Sequence, residues 1–227
     1  MKFVSFDHVK SVLSGKRVAV VGSGPSALEN PFGKIDSFDV VVRVNNYRVG
    51  GNLGHRTDVF YSFFGGSIKK NKDELIRDGV RLCMCKCPDS KPIESEWHVR
   101  RNKVNGIDFR YIYRFRKTWW FCDTFIPTSA HFLELFEKLD GHIPTTGFTA
   151  IYDLLKCGVG ELYVTGYDFF SSGLHNVNQP WRPGDPTDPI GHRPDLEYEW
   201  LKSNRERFPL TFDQYLTTRF NLKVFYE

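Results

Sequence analysis

Apolar positions along this chain fall into short runs separated by turn residues, and the runs alternate between two periods. Residues 17–21 (Arg-Val-Ala-Val-Val) are almost continuously apolar, the pattern of a strand buried on both faces of a parallel sheet. The same reading predicts strands over 40–44, 58–63, 80–85 and 161–165. Helical signals lie between them. A short helix is expected over 7–14, one over 69–78 ended by Gly79, an amphipathic one over 130–139 closed by Gly141, and one over 148–157. A further helix is expected over 195–207, with Asp195 in its first turn and Arg205 and Arg207 near its end. A helix is also expected to follow the turn at 22–26, running toward Asn30.

Strands alternating with helices predict an α/β fold: a doubly wound, Rossmann-like, mostly parallel sheet with helices on both faces. The length, 227 residues, suits one domain over 1–227. Two segments break the rhythm. Residues 109–121 interleave aromatics with Arg110, Arg114, Arg116 and Lys117. Residues 171–191 are rich in Gly, Pro and Asn and too long for an ordinary connection, so they are the expected lid.

Composition narrows the class. Hydrophobic residues make up 41% and charged residues 26%, as in ordinary soluble globular proteins. No apolar run approaches the roughly 20 residues of a membrane helix, and the charged start of the chain is unlike a signal peptide. The five cysteines, an odd number, argue against a disulfide framework. They fit a reducing compartment, and the expected location is cytoplasmic, with peripheral membrane contact left open. Cys83, Cys85 and Cys87 alternate as residues on one face of a strand would, which reads as small buried residues; zinc sites space their cysteines differently, so no metal is expected. The net charge of +4 suits anionic substrates and does not by itself imply nucleic acid. Segment 109–121 could bind single-stranded nucleic acid, but an edge strand or an acceptor surface ranks first.

The chemistry begins at the turn Gly22-Ser23-Gly24-Pro25-Ser26, followed by Ala27. It matches G-x-G-x-x-A after a strand. Glycines let backbone approach a phosphate, and amides at a helix start point at anionic oxygens. The bland alternative is a tight strand–helix turn without a ligand. A dinucleotide site would also want a carboxylate about 20 positions on. The second strand ends instead in Asn45 and Asn46. Thr145, Thr146 and Gly147 place hydroxyls and amides at a helix start, which suits a carboxylate or phosphate, or a simple cap. Gly166, Tyr167, Asp168 and Phe169 follow a strand; Asp168 is either a ligand acceptor or a loop fastener. His175 lies inside the expected lid and His192 just beyond it, and histidine is the usual general base near neutral pH. Glu197, five residues after His192, could orient that histidine or the start of the helix that follows it. The chain has no Asp-x-Asp pair to carry a metal on a diphosphate, no Walker lysine motif and no G-x-S-x-G elbow.

Taken in order, these pieces resemble the sialyltransferases, both the mammalian type (glycosyltransferase family 29) and the bacterial type (family 42). Residues 20–26 with 36–45 are similar to the long sialyl motif, and 144–147 through 166–169 to the short motif. His175 falls where the third motif's histidine would, and His192 with Glu197 matches the very short motif. The resemblance implies a sialyltransferase-type variant of the GT-A fold and an inverting, metal-independent transfer from a CMP-activated sugar acid, sialic acid or Kdo, to a glycan or glycolipid hydroxyl. No cofactor other than the donor substrate is implied. His192 would be the base, and His175 would hydrogen-bond the leaving phosphate. Asn45 and the turn 22–26 would hold the nucleotide, and Thr146 and Gly147 the donor carboxylate or nearby nucleotide groups. The chain departs from the family at Ser23, usually asparagine, and at Phe170 and Asn176, where bacterial enzymes place tyrosines. Ile143 stands at an arginine-bearing position, and Val18 and Ile151 lie near the places of the mammalian disulfide. A nucleotide-dependent oxidoreductase and a non-catalytic nucleotide- or glycan-binding domain are the other two classes open to this sequence.

Overall fold

A computed structural model of the chain describes residues 2–64, 68–86, 121–169, 174–176, 179–180 and 191–221. Five strands arise where apolar runs were read: β2 (Arg17–Val21), β3 (Val40–Val44), β4 (Val59–Ser62), β5 (Leu82–Cys85) and β7 (Glu161–Thr165). They join three short strands, β1 (Phe3–Val4), β6 (Asp123–Phe125) and β10 (Leu210–Phe212), that carry too few residues to show a period. The resulting eight-stranded sheet has the order β1-β6-β5-β4-β3-β2-β7-β10. Every pairing in it is parallel. A separate antiparallel pair, β8 (Leu174–Asn176) with β9 (Gln179–Pro180), lies within the expected lid segment.

Strand alternation divides the core. Val18 and Val20, Val42 and Val44, Val59 and Tyr61, Leu82 and Met84, and Leu162 and Val164 all enter one apolar cluster. That face is covered by α1 (Phe6–Leu13), α4 (Thr146–Lys156), α5 (Pro194–Asn204) and α6 (Gln214–Asn221), which contribute Leu13, Ile151, Leu201 and Leu216. On the opposite face, α2 (Lys72–Arg77) buries Leu75 against Phe60, Cys83 and Cys85. Asn71 and Glu74 close a capping box at its start, which sets the helix boundary inside the broader range expected. Further along that face, Ile35 and Phe38 pack on Ala19, Val21 and Tyr163. Helix α3 (Ser129–Lys138) joins Leu135 and Leu139 to Phe148 and Tyr152 of α4.

One element departs from expectation. Residues Pro25–Glu29 form a 3-10 helix rather than the start of an α-helix. Cys83 and Cys85 do share one face, as expected of small buried residues; Cys87 and nearly all of 109–121 lie outside the described residues. The chain reverses direction across the sheet between β2 and β7. The segments leaving β2 and β7 therefore open at the switch point, where parallel α/β sheets hold ligands beyond their carboxyl ends.

Candidate active site

The glycine turn is held against the end of β7. The Gly22 and Gly24 amides donate to the carbonyls of Thr165 and Gly166 at 2.8 and 2.9 Å. A Cβ at Gly22 would stand 2.3 Å from the Gly166 oxygen, and one at Gly24 2.8 Å from it. These glycines are therefore required by the approach of two backbones, whatever else the turn does. Ser26 is buried and donates its hydroxyl to Asp213 at 3.0 Å. The same carboxylate accepts from Thr165 Oγ1 (2.8 Å) and the Gly166 amide (3.1 Å), while its other oxygen accepts from the Leu216 amide at the start of α6. Asp213 thus ties the turn, β7 and α6 together. Pro25 occupies the first position of the 3-10 helix, where its missing N–H costs nothing, and Ser23 lies between the two anchored glycines.

Tyr167 links the turn to α4. Its ring is buried, and a Cβ at Gly147 would meet ring carbon Cε1 at 2.4 Å, while one at Gly22 would meet Cε2 at 3.0 Å. The two motifs, 125 residues apart, are therefore brought together on opposite edges of one aromatic ring. The Tyr167 hydroxyl is buried and has no hydrogen-bond partner among the described residues, and burial pushes its pKa upward. The Asp168 carboxyl comes within 3.5 Å of where a Gly24 Cβ would be, and Phe169 packs on Tyr198 at 5.6 Å between centroids.

At the start of α4, Thr145 is the N-cap, its hydroxyl oxygen accepting from the Phe148 amide at 3.2 Å. Its own amide and hydroxyl donate to the two oxygens of Glu197, at 2.5 and 2.8 Å. Thr146 and Gly147 fill the first helical turn, whose amides form the positive end of the helix. Glu197 is 2% exposed. Burial raises its pKa to about 7, against the pull of the Thr145 bonds and the charge of buried Lys86. Glu197 lies within α5 and holds the start of a different helix, α4, a role that its spacing from His192 did not give.

Two histidine contacts continue this seam. His192 Nδ1 lies 2.7 Å from the Ile143 carbonyl, and His142 Nδ1 lies 3.2 Å from the Gly191 carbonyl. A carbonyl accepts only, so the His192 bond fixes the tautomer with the proton on Nδ1 and the lone pair on Nε2. His192 is exposed. Together with the Thr145–Glu197 pair, these contacts fasten residues 142–145 to 191–197. His175 lies in β8, apart from the main sheet.

Asn45 ends β3 in the left-handed conformation (φ 49°), and its Oδ1 accepts from Ser62 Oγ at 3.1 Å. Phe64 after β4 and Phe169 after β7 share this conformation, each at φ 51°. Such positions cost of order 1–3 kcal/mol each and collect where function demands them. Sequence reasoning missed His142, Asp213 and Lys86. Asp213 carried a usable signal, an Asp directly before a helical segment; the other two became visible only through their neighbours.

Among the described residues no group of His, Cys, Asp and Glu could hold a metal ion, and no helix is long and apolar enough to cross a membrane. The fold defines the chain as a parallel α/β protein, and the candidate residues gather beyond the strand ends at its switch point. Compared by sequence, it matches no family model and no curated protein. Compared by structure, its neighbours are sialyltransferases. It superposes on CstII from Campylobacter jejuni, in complex with the substrate analogue CMP-3FNeuAc, with TM-score 0.52 and 16% identity, covering 87% of this chain and 81% of that one. A variant of the sialyltransferase CST-II in complex with CMP gives 0.56 at 16%, over 93% and 90%. A mammalian sialyltransferase in complex with Gal-beta-1-3GalNAc-ortho-nitrophenol gives 0.52 at 16%, over 89% and 71%. The fold is that of the sialyltransferases.

Proposed function

We propose that this chain is an inverting, metal-independent glycosyltransferase that moves a sugar acid, sialic acid or Kdo-like, from a CMP-activated donor to a glycan or glycolipid hydroxyl. The observation that carries the reading is His192. It is exposed beside the α4 N-terminus, with its Nδ1 anchored on the Ile143 carbonyl. In the proposed step, the acceptor oxygen attacks the anomeric carbon while His192 Nε2 takes its proton. The bond from that carbon to the donor phosphate breaks, and CMP departs with the electron pair. A general base of this kind contributes about 10²–10⁴ in rate.

The remaining roles are assigned on the contacts these residues make. The first-turn amides of α4 at Thr146 and Gly147 would stabilise the donor carboxylate or phosphate. The Asn45 NH₂ would hold the nucleotide. Gly22, Ser23, Gly24, Pro25 and Ser26 would shape the floor under it, with Tyr167 as the spacer that sets the distance between floor and helix. Asp168, beside Gly24, would face the donor across that floor, with Phe169 fixing the strand exit. Glu197 positions Thr145, and His175 is assigned to the leaving phosphate on the strength of the sequence resemblance. The missing Asp-x-Asp pair supports a metal-free donor site. A cytoplasmic enzyme meeting its acceptor at a membrane surface is consistent with this reading.

Two measurements test it. CMP, CDP, UDP and NAD are each titrated while thermal stability is followed, since a ligand that binds only the folded chain raises it. CMP is expected to stabilise most strongly, and a response to NAD alone would transfer the chain to the oxidoreductases. His192→Ala is then expected to keep the CMP response while losing about 10²-fold or more in transfer. Turnover above about a tenth of wild type would remove His192 as the base. Activity with a CMP-sugar should survive EDTA.

A further inference from the structure

Cys83 and Cys122 lie outside the site described above. Cys83 is fully buried in β5, against Phe60, Leu75 and Cys85. Cys122 directly precedes β6, the neighbouring strand, and is partly exposed. Their sulfur atoms are 3.5 Å apart, although the two residues are 39 positions apart in the chain. Both are free thiols. Thr124 donates its hydroxyl to the Cys122 carbonyl at 3.1 Å, a contact that holds the backbone just before β6.

We propose that Cys83 and Cys122 form a reversible disulfide, with Cys122 as the attacking thiol and Cys83 as the resolving one, closing the chain between β5 and β6 into a loop. The sulfurs need to approach by about 1.5 Å to reach the bond length near 2.05 Å. Cys83 pairs with Thr124, two positions beyond Cys122, so the approach takes rotation of both side chains together with a small shift of the backbone that enters β6.

The two thiols divide the labour by environment. The hydrogen bond shared with Cys83 holds the Cys122 thiol below its ordinary pKa, against the charge of Asp123 and partial burial. The same bond, with burial and Cys85 nearby, pushes Cys83 up, so Cys83 keeps its proton. Thiolate character and access thus coincide on Cys122, as attack requires.

With a small disulfide such as oxidised glutathione as oxidant, the step balances. The Cys122 thiolate attacks one sulfur of the oxidant, forming a mixed disulfide and expelling one glutathione thiolate, which takes up a proton. Cys83 then loses its proton and attacks the Cys122 sulfur, expelling the second glutathione. Two protein thiols are oxidised and one oxidant disulfide is reduced to two thiols.

The test incubates the full chain with oxidised glutathione, followed by intact mass and peptide mapping. Wild type is expected to lose the mass of two hydrogen atoms and yield one crosslinked peptide pair joining Cys83 to Cys122. The oxidised chain is expected to melt about 5–10 °C higher, since a closed loop of this length constrains the unfolded chain. Cys122→Ser should stay reduced at Cys83. Cys83→Ala should retain one glutathione on Cys122, the trapped first half of the reaction. A crosslink from Cys122 to Cys85 or Cys87, glutathione retained on wild-type Cys122, or a native chain unreactive where the unfolded chain reacts would each overturn the proposal. None of these readouts depends on the transferase reading.

Discussion

Replacing Glu197 with Gln isolates one buried charge. Glu197 is 2% exposed, and its two oxygens accept the Thr145 amide and hydroxyl. Burial raises its pKa from an ordinary 4.5 to about 7. At about 1.4 kcal/mol per pH unit, that is a penalty of about 3 kcal/mol on the ionised form. The direction follows from linkage. Between pH 4.5 and 7 the unfolded chain has released this proton and the folded chain still holds it, so stability falls as pH rises through that window. Glutamine never ionises and escapes the penalty, but its amide buries two N–H donors where the protonated carboxyl buries one O–H, which costs about 1 kcal/mol. The variant is therefore expected to be about 1 kcal/mol less stable near pH 4.5 and about 2 kcal/mol more stable near pH 8, the curves crossing between about pH 5 and 6. Urea denaturation at a series of pH values reads this difference directly, and groups common to both chains cancel. Asp36, Glu134 and Asp195 have lowered pKa values, so their contributions fall away on the acid side of the window. A stability difference that stays constant with pH to within about 0.5 kcal/mol would refute the buried-charge account.

Other expectations follow from the same contacts. Gly22→Ala forces a Cβ to 2.3 Å from the Gly166 oxygen, backbone that β7 holds in place, and should cost about 3 kcal/mol; a wild-type melting temperature would show that the turn can shift. Asp213→Ala removes the acceptor for Ser26, Thr165, Gly166 and Leu216, with an expected loss of about 3–4 kcal/mol; Asn should recover part of it, measured by chemical denaturation. Tyr61→Phe unpairs Asp153 on one side, where the Tyr61 hydroxyl donates at 2.6 Å, and should cost about 1–3 kcal/mol in the same assay. His142→Ala releases the Gly191 carbonyl while leaving the Ile143–His192 contact, so transfer should fall about tenfold with the CMP response retained; a loss as large as that of His192→Ala would make His142 more than a brace.

The strands β2, β3 and β7 stand at the residues where the sequence placed them, because a parallel strand buried on both faces needs an uninterrupted apolar run and little else imitates one. Helix boundaries were legible to within a few residues where a cap was present. Thr145 accepts from Phe148 and so starts α4 at Thr146, two positions before the expected start. The shortest strands left no signal, since β1 has two residues and β6 and β10 three each. The identities of the candidate site residues were also readable: glycines, threonines and histidines in an order that resembles a family. Their partners were not. The shared Tyr167 ring, the Asp213 carboxylate under Ser26, and the choice of Thr145 over His192 as the partner of Glu197 depend on strand order, which places β7 beside β2 across 140 residues of sequence. The 3-10 turn at Pro25–Glu29 belongs there too, because the approach of Gly22 and Gly24 to Gly166 sets the exit from β2 before any helix propensity acts. Local patterning determined which residues form strands and helices and which could do chemistry. Long-range backbone contact decided which of them stand together at the switch point and which partners each one has, because side-chain roles follow from neighbours that the chain brings together only on folding.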